Sequence, residues 1–228
     1  MFFYDPTFII LIPAIILSLW AQSRVTSTFN KYSKVNNRSG MTGADIARRI
    51  LNLNGLTNVK VERVSGNLTD HYDPRENVVR LSDSTFASQS VGAIGVAAHE
   101  VGHAIQHATG YSAIRIRNAI VPAVNFCNML SMPILLIGLL ISATGLIDLG
   151  IIFFSATVLF QLITLPVEFN ASKRAIATLE DNGMLIGEEL SGAKKVLSAA
   201  AMTYVAAAVS SILSLIRILL LFGGRRRD

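Results

Sequence analysis

The sequence VAAHEVGHAI at residues 96–105 places two histidines four residues apart, with a glutamate directly after the first. On an α-helix, side chains four residues apart lie on one face about one turn apart, so His99 and His103 can bind one metal ion together. Imidazole pairs of this kind bind zinc at about 2.0–2.1 Å. Glu100 can then take a proton from a zinc-activated water without binding the ion. The stretch therefore predicts a helix that carries a hydrolytic zinc site.

A helix with two ordinary histidines is the competing interpretation. It does not explain why three of the four histidines in the chain, His99, His103 and His107, fall on one helix face. We do not expect His107 to be the third ligand, because two steps of four residues cover about 12 Å along a straight helix. We expect it to support the ligands or to lie at the helix end.

A carboxylate is the expected third ligand, as in His₂Glu zinc sites. The acidic candidates after the next apolar stretch are Glu168, Glu180, Asp181, Glu188 and Glu189. Glu168, in PVEFNAS, follows this stretch directly and is the best placed. Position alone leaves two interpretations equal: a metal ligand, or a carboxylate in the headgroup zone where the chain leaves a membrane.

The chain is unusually apolar for a soluble protein, with 51% hydrophobic and 15% charged residues and a mean hydropathy of +0.49. Residues 6–22 are long enough for one membrane anchor, and the single acid and absence of bases in Met1–Asp5 argue against a signal peptide. Residues 118–166 have the length of two spans, with a turn expected near residues 144–150.

The side of the membrane follows from the positive-inside tendency, because bases follow the first span at once. It predicts that residues 23–117 are cytoplasmic and that the N-terminus lies outside. A fourth span over residues 197–222 would then put Arg225–Arg227 outside, against that tendency. The alternative is that residues 199–209 form a helix of the soluble part and residues 211–222 lie in the interface. Length favours a true fourth span.

The soluble stretches predict a small α+β domain. A helix is expected over residues 42–54, capped by Thr42, and strands over residues 59–64 and 77–81. The zinc-site helix should cover residues 90–109, starting at Ser88 or Ser90 and ending at Gly110. The fold class is thus membrane α+β, with three or four transmembrane helices. The expected domains are an anchor at residues 1–22, a first protease part at 23–117, a membrane hairpin at 118–166, a second protease part at 167–196, and an apolar helix with a basic tail at 197–228.

The motifs AAHEVGHAIQH, LPVEFNASKRA and LTDHYDP resemble those of the YugP-type neutral zinc metallopeptidases of bacterial membranes. More distantly, the layout is similar to the HtpX and Ste24 membrane proteases. The resemblance implies that His99, His103 and Glu168 bind one zinc ion, that Glu100 is the catalytic base, and that the core is gluzincin-like. The Asp that follows the Glu ligand by four residues in HtpX and Ste24 is Ser172 here, so support for the ligands comes from Ser172 or from elsewhere, such as Asn170.

The LTDHYDP stretch has two interpretations. It precedes the strand at residues 77–81, which we expect at the sheet edge over the cleft, and an edge strand can hold an extended peptide by main-chain hydrogen bonds. Asp70, His71 and Tyr72 would then contact substrate. A simple turn built on Asp and Pro is the alternative.

These patterns predict a membrane-bound zinc endopeptidase that acts on peptide or membrane-protein substrates. We expect it to be a multi-pass protein of a bacterial cell membrane with a cytoplasmic active site. A catalytically silent zinc-binding adaptor is the alternative, although it would not need Glu100. A channel or transporter is disfavoured because the apolar stretches contain few ionisable residues. Despite a net charge of +5, the basic residues are scattered, and no nucleic-acid partner is expected. The oligomeric state stays open.

Overall fold

The computed structural model describes residues 6–223, so Met1–Asp5 and Arg225–Arg227, which entered the topology argument, lie outside the described residues. A short 3₁₀ helix, Pro6–Leu11, leads directly into the first α-helix. The elements that follow are α1 Ile12–Tyr32, α2 Gly43–Leu53, β1 Lys60–Val64, β2 His71–Asp73, β3 Val78–Ser82, α3 Val91–Ala108, α4 Ser112–Leu140, α5 Thr144–Asp181 and α6 Gly187–Gly223.

The three strands form one mixed sheet in the order β1-β3-β2. β1 pairs parallel with β3, and β2 pairs antiparallel with it. The strands expected over residues 59–64 and 77–81 are confirmed as β1 and β3. The expectation that the second of these forms the sheet edge is wrong, because β3 is paired on both sides and is mostly buried. The short strand β2, which lies within LTDHYDP, is an edge strand instead.

Residues 22–115 and 166–202 form one compact unit. Its apolar core joins the buried face of α2 and the sheet to α3 and to parts of α5 and α6. The cap at Thr42 is confirmed: its side chain accepts a hydrogen bond from the Asp45 N–H, and Asp45 bonds back to the Thr42 N–H as a capping box. Ser90 caps α3 in the same way through the Ala93 N–H. The Ser90 cap fixes where α3, the zinc-motif helix, begins.

The other compact unit contains residues 6–21, 116–165 and 203–223 of the described chain. A small apolar cluster around Leu135, Ile147 and Ile218 holds α4, α5 and α6 together within it. The loop between α4 and α5 lies at residues 141–143, slightly before the expected turn.

Among the described residues, four helices are long and apolar enough to cross a membrane: Pro6–Tyr32, Ser112–Leu140, Thr144–Asp181 and Gly187–Phe222. The last is one continuous helix, with no break between residues 209 and 211 where the alternative interpretation divides it into a soluble and an interfacial part. The apolar part of this helix, residues 197–222, contains no Gly or Pro that would break it. The predicted membrane α+β fold class is confirmed.

Candidate metal centre

Three side chains that the sequence singled out, His99, His103 and Glu168, meet in the unit formed by residues 22–115 and 166–202. The Glu168 Oε2 atom lies 3.3 Å from His99 Nε2 and 3.5 Å from His103 Nε2. The three ligand atoms all lie within 4.8 Å of one another. Glu168 is only 4% exposed, so its carboxylate does not face lipid or bulk solvent. The structure thus brings Glu168 close enough to both histidines for the three side chains to hold one metal ion.

The close approach of α3 and α5 produces this arrangement. A Cβ atom on Gly102 would lie 2.7 Å from the Ala171 carbonyl oxygen and 3.3 Å from the Ala171 Cα. Only glycine therefore allows the two backbones to pack at this distance. Glu168 and Ser172 flank Ala171 on α5, and His99 and His103 flank Gly102 on α3. The contact between the two small residues consequently brings both pairs of polar side chains together.

The donor set and its spacing fit a zinc ion. Four ligands on a tetrahedron of radius about 2.0–2.1 Å are separated by about 3.3–3.4 Å. The two separations from Glu168 Oε2, 3.3 and 3.5 Å, match that edge. Two imidazoles and one carboxylate, with a fourth position left to water, are the ligand set of catalytic rather than structural zinc sites.

Each histidine has a polar partner at its other ring nitrogen. Ser172 Oγ lies 3.1 Å from His99 Nδ1, so the serine that replaces the Asp of the HtpX and Ste24 pattern does contact a predicted ligand. His103 Nδ1 lies 3.0 Å from Gln106 Oε1. Asn170 contacts Gln106 rather than a predicted ligand. Sequence reasoning missed Gln106, although a glutamine three positions after His103 on the same helix was an available signal.

Glu100 and His103 are coupled electrostatically. Burial opposes a positive charge on His103, but the hydrogen bond to Glu168, the negative charge of Glu100 and the bond to Gln106 outweigh it. The pKa of the His103 imidazole therefore lies above its usual value of 6.5. Glu100 itself is partly buried. A buried imidazole surrounded by acceptors is a site that attracts a cation.

The LTDHYDP residues have other contacts. Asp70 accepts hydrogen bonds of 2.8 Å from both the N–H and the hydroxyl of Ser82, which joins the start of β2 to the end of β3. Tyr72 donates to Asn77 Oδ1 at 3.1 Å. Its ring centroid lies 6.1 Å from that of His107, so β2 lies against the last turn of α3. His71 is exposed on β2, with Nδ1 2.9 Å from the Thr69 carbonyl oxygen. Contacts of these residues with substrate stay a prediction.

Comparison with known proteins identifies the family of the chain. A family model described as "Putative neutral zinc metallopeptidase" matches residues 7–223. The chain belongs to this family. It is also 54% identical over 211 residues to the "Putative membrane protease YugP" of Bacillus subtilis (strain 168), an alignment that covers 92% of this chain and 94% of that protein. No solved structure matches. The similarity to a membrane protease over most of the chain, together with the four apolar helices, makes the chain a multi-pass membrane protein.

Proposed function

We propose that the chain is a zinc-dependent endopeptidase with one zinc ion held by His99, His103 and Glu168. The observation that carries the proposal is the meeting of the Glu168 carboxylate with both Nε2 atoms at the edge length of a zinc tetrahedron. The family and the YugP relative, whose names specify a zinc metallopeptidase and a membrane protease, support the same reaction.

Zinc in such a site supplies Lewis-acid chemistry: it polarises a carbonyl group and lowers the pKa of a water molecule toward about 7. With the ion bound, Glu100 would accept the proton of that water and donate it to the leaving amine, a general-base and general-acid role that contributes about 10²–10⁴-fold. Neither Ser172 nor Gln106 is required to change its protonation state. A silent zinc scaffold would have no need for a carboxylate at position 100.

The sheet offers a place for an extended peptide. β2 is at one end of the strand order, so one of its two sides is not used for pairing within the sheet. A substrate backbone added there would run beside α3, because Tyr72 on β2 lies against His107. We therefore propose that peptides, including segments of membrane proteins, bind along β2 in extended form, with His71 and Tyr72 as contacts. Asp70 would act by holding the strand.

We further propose that the site faces the cytoplasm of a bacterial cell. The basic residues that follow the first apolar segment, Arg24, Lys31, Lys34 and Arg38, support this orientation through the positive-inside tendency.

The test is to purify the full chain in detergent without chelator, and to measure its zinc content and its cleavage of casein and of a membrane-protein extract. Glu100→Gln should keep about one zinc per chain, while cleavage falls by about 10²–10⁴-fold. His103→Ala should lose both zinc and cleavage. Glu180→Gln changes an exposed carboxylate on the helix that carries Glu168, and should keep both.

The outcomes separate the candidate functions. Undiminished proteolysis in the Glu100→Gln variant would reject the assigned base. Stoichiometric zinc without cleavage of any substrate by the wild-type chain would instead favour the adaptor.

A further inference from the structure

Gln106 is a fully buried polar side chain, with 0% exposure, on α3 one turn after His103. Glutamine is mostly exposed in proteins, and burying an unbonded amide costs about 1–3 kcal/mol. Here both ends of the amide are bonded. Oε1 lies 3.0 Å from His103 Nδ1, and Nε2 lies 2.8 Å from the Val167 carbonyl oxygen and 3.0 Å from Asn170 Oδ1. An apolar residue of similar size would pack there at lower cost, so these bonds call for an explanation.

The direction of every bond in this network is determined by groups that have only one hydrogen-bonding role. The Val167 carbonyl can only accept, so the Gln106 atom beside it must be the NH₂ group. The Arg174 guanidinium can only donate, and its Nε lies 2.8 Å from Asn170 Oδ1, so that atom is the oxygen. Gln106 therefore presents its own oxygen to His103, and His103 Nδ1 must carry the hydrogen.

This proton assignment matters for the zinc site. With its hydrogen on Nδ1, the neutral His103 ring has its lone pair on Nε2, the atom that lies 3.5 Å from Glu168 Oε2. The same amide holds the Val167 carbonyl, which belongs to the residue directly before Glu168. One side chain thus orients an imidazole on α3 and fastens the turn of α5 that carries the carboxylate.

We infer that Gln106 is a positioning residue that sets the tautomer of His103 and ties the His103 and Glu168 ligands into one preformed site. The inference rests on the proposed function, because it requires that these residues bind zinc. It also distinguishes the two histidines: the Ser172 hydroxyl beside His99 can donate or accept and imposes no tautomer of its own.

The test measures zinc binding alone, in a Glu100→Gln background, so that it does not depend on turnover. The dissociation constant comes from chelator competition, and the coordination geometry from the visible spectrum after Co²⁺ substitution. Gln106→Met keeps the length, offers Nδ1 only a weakly accepting sulfur and cannot donate to the Val167 carbonyl, so it should weaken zinc binding about 10–100-fold and alter the Co²⁺ spectrum. Gln22→Met, at an exposed position on α1, is the matched control and should change neither.

Gln106→Glu separates positioning from packing. Its carboxylate can still accept from His103 Nδ1–H, as in carboxylate–histidine–zinc triads, so affinity should recover part of the loss seen with methionine. Because the second carboxylate oxygen cannot donate to the Val167 carbonyl or to Asn170 Oδ1, the recovery should be partial. A Gln106→Glu variant whose Co²⁺ spectrum is no closer to the parent's than that of Gln106→Met would overturn the inference. Unchanged affinity in Gln106→Met would overturn it too, and would leave the proposed function standing. A Glu100→Gln parent that cannot hold zinc would reject the proposed metal site, and this inference with it.

Discussion

The two compact units of the chain are built by different rules. The unit with the candidate site has large side chains that are wholly buried, two capped helices and a polar network in which donors and acceptors are matched. The unit with the long apolar segments leaves large apolar residues exposed to their surroundings, and its cluster of buried side chains is small. Water drives the burial in the first case. In lipid, which is as apolar as leucine, exposure of the second unit has no such cost.

This difference in burial between the two units predicts which substitutions the molecule should tolerate. Where the fold depends on packing in water, the free energy of unfolding should be sensitive to single methylene groups. Where a helix needs only length and apolarity, substitutions of similar character should be nearly silent.

A pair of leucine truncations tests the comparison most strongly. Leu179 on α5 is 0% exposed in the soluble core, and Leu140 on α4 is 83% exposed. Leu179→Ala should lower the free energy of unfolding by about 2–5 kcal/mol, through lost burial and the cavity that remains. Leu140→Ala should change it by less than about 0.5 kcal/mol. Thermal and denaturant unfolding of the purified chains in one detergent would measure both, and equal losses would contradict the division.

The elements of the soluble unit were predictable wherever a local rule decides them. Thr42 and Ser90 are caps, the prediction for α2 depended on helical spacing of apolar residues, and β1 depended on alternation. The sheet order was not predictable in this way. Which strand lies in the centre depends on pairing between residues such as Arg80 and His71, which no local pattern encodes.

The residues of the candidate site also fall into those that a local pattern predicts and those that it does not. His99, Glu100 and His103 come from one helical turn and were found by spacing. For Glu168 the sequence position supported a metal ligand and a headgroup-zone carboxylate equally, because its distance to the histidines depends on how α5 packs on α3. Gln106 was missed, since its role depends on Val167 and Asn170, more than sixty positions away in the chain. Contacts between distant segments decide these details.

A glycine on the zinc-motif helix sharpens the comparison. Gly102→Ala would place a methyl group 2.7 Å from the Ala171 carbonyl oxygen, so the backbones of α3 and α5 must separate. We expect a loss of about 1–3 kcal/mol in stability, together with weaker zinc binding, because Glu168 and Ser172 move with Ala171. The measurements are thermal unfolding and chelator competition.

Gly95→Ala is the control on the same helix. Its new methyl group would meet the Ala193 Cβ at 3.4 Å, an ordinary contact, and alanine favours the helix. Stability should hold or rise, and zinc affinity should stay unchanged. A Gly102→Ala variant that behaves like Gly95→Ala would show that the close approach of the two helices does not set the ligand distances.

The smallest expected effect is the dependence on pH, and it should be confined to the unit with the site. All four histidines, at positions 71, 99, 103 and 107, belong to that unit. In the zinc-free chain the pKa of His103 is raised above 6.5, so its contribution to stability is complete below pH 6.5 and is lost as pH rises through the folded-state value.

Zinc must displace that proton, so zinc affinity should change in the opposite sense. It should fall about tenfold per pH unit for each proton displaced as the solution becomes more acidic than the raised pKa. Chelator competition and thermal unfolding from pH 5 to 8 would measure the two trends. The helical circular dichroism of the chain, which the long apolar helices dominate, should stay constant over this range. Parallel rather than opposite trends would mean that His103 does not give up a proton to the metal.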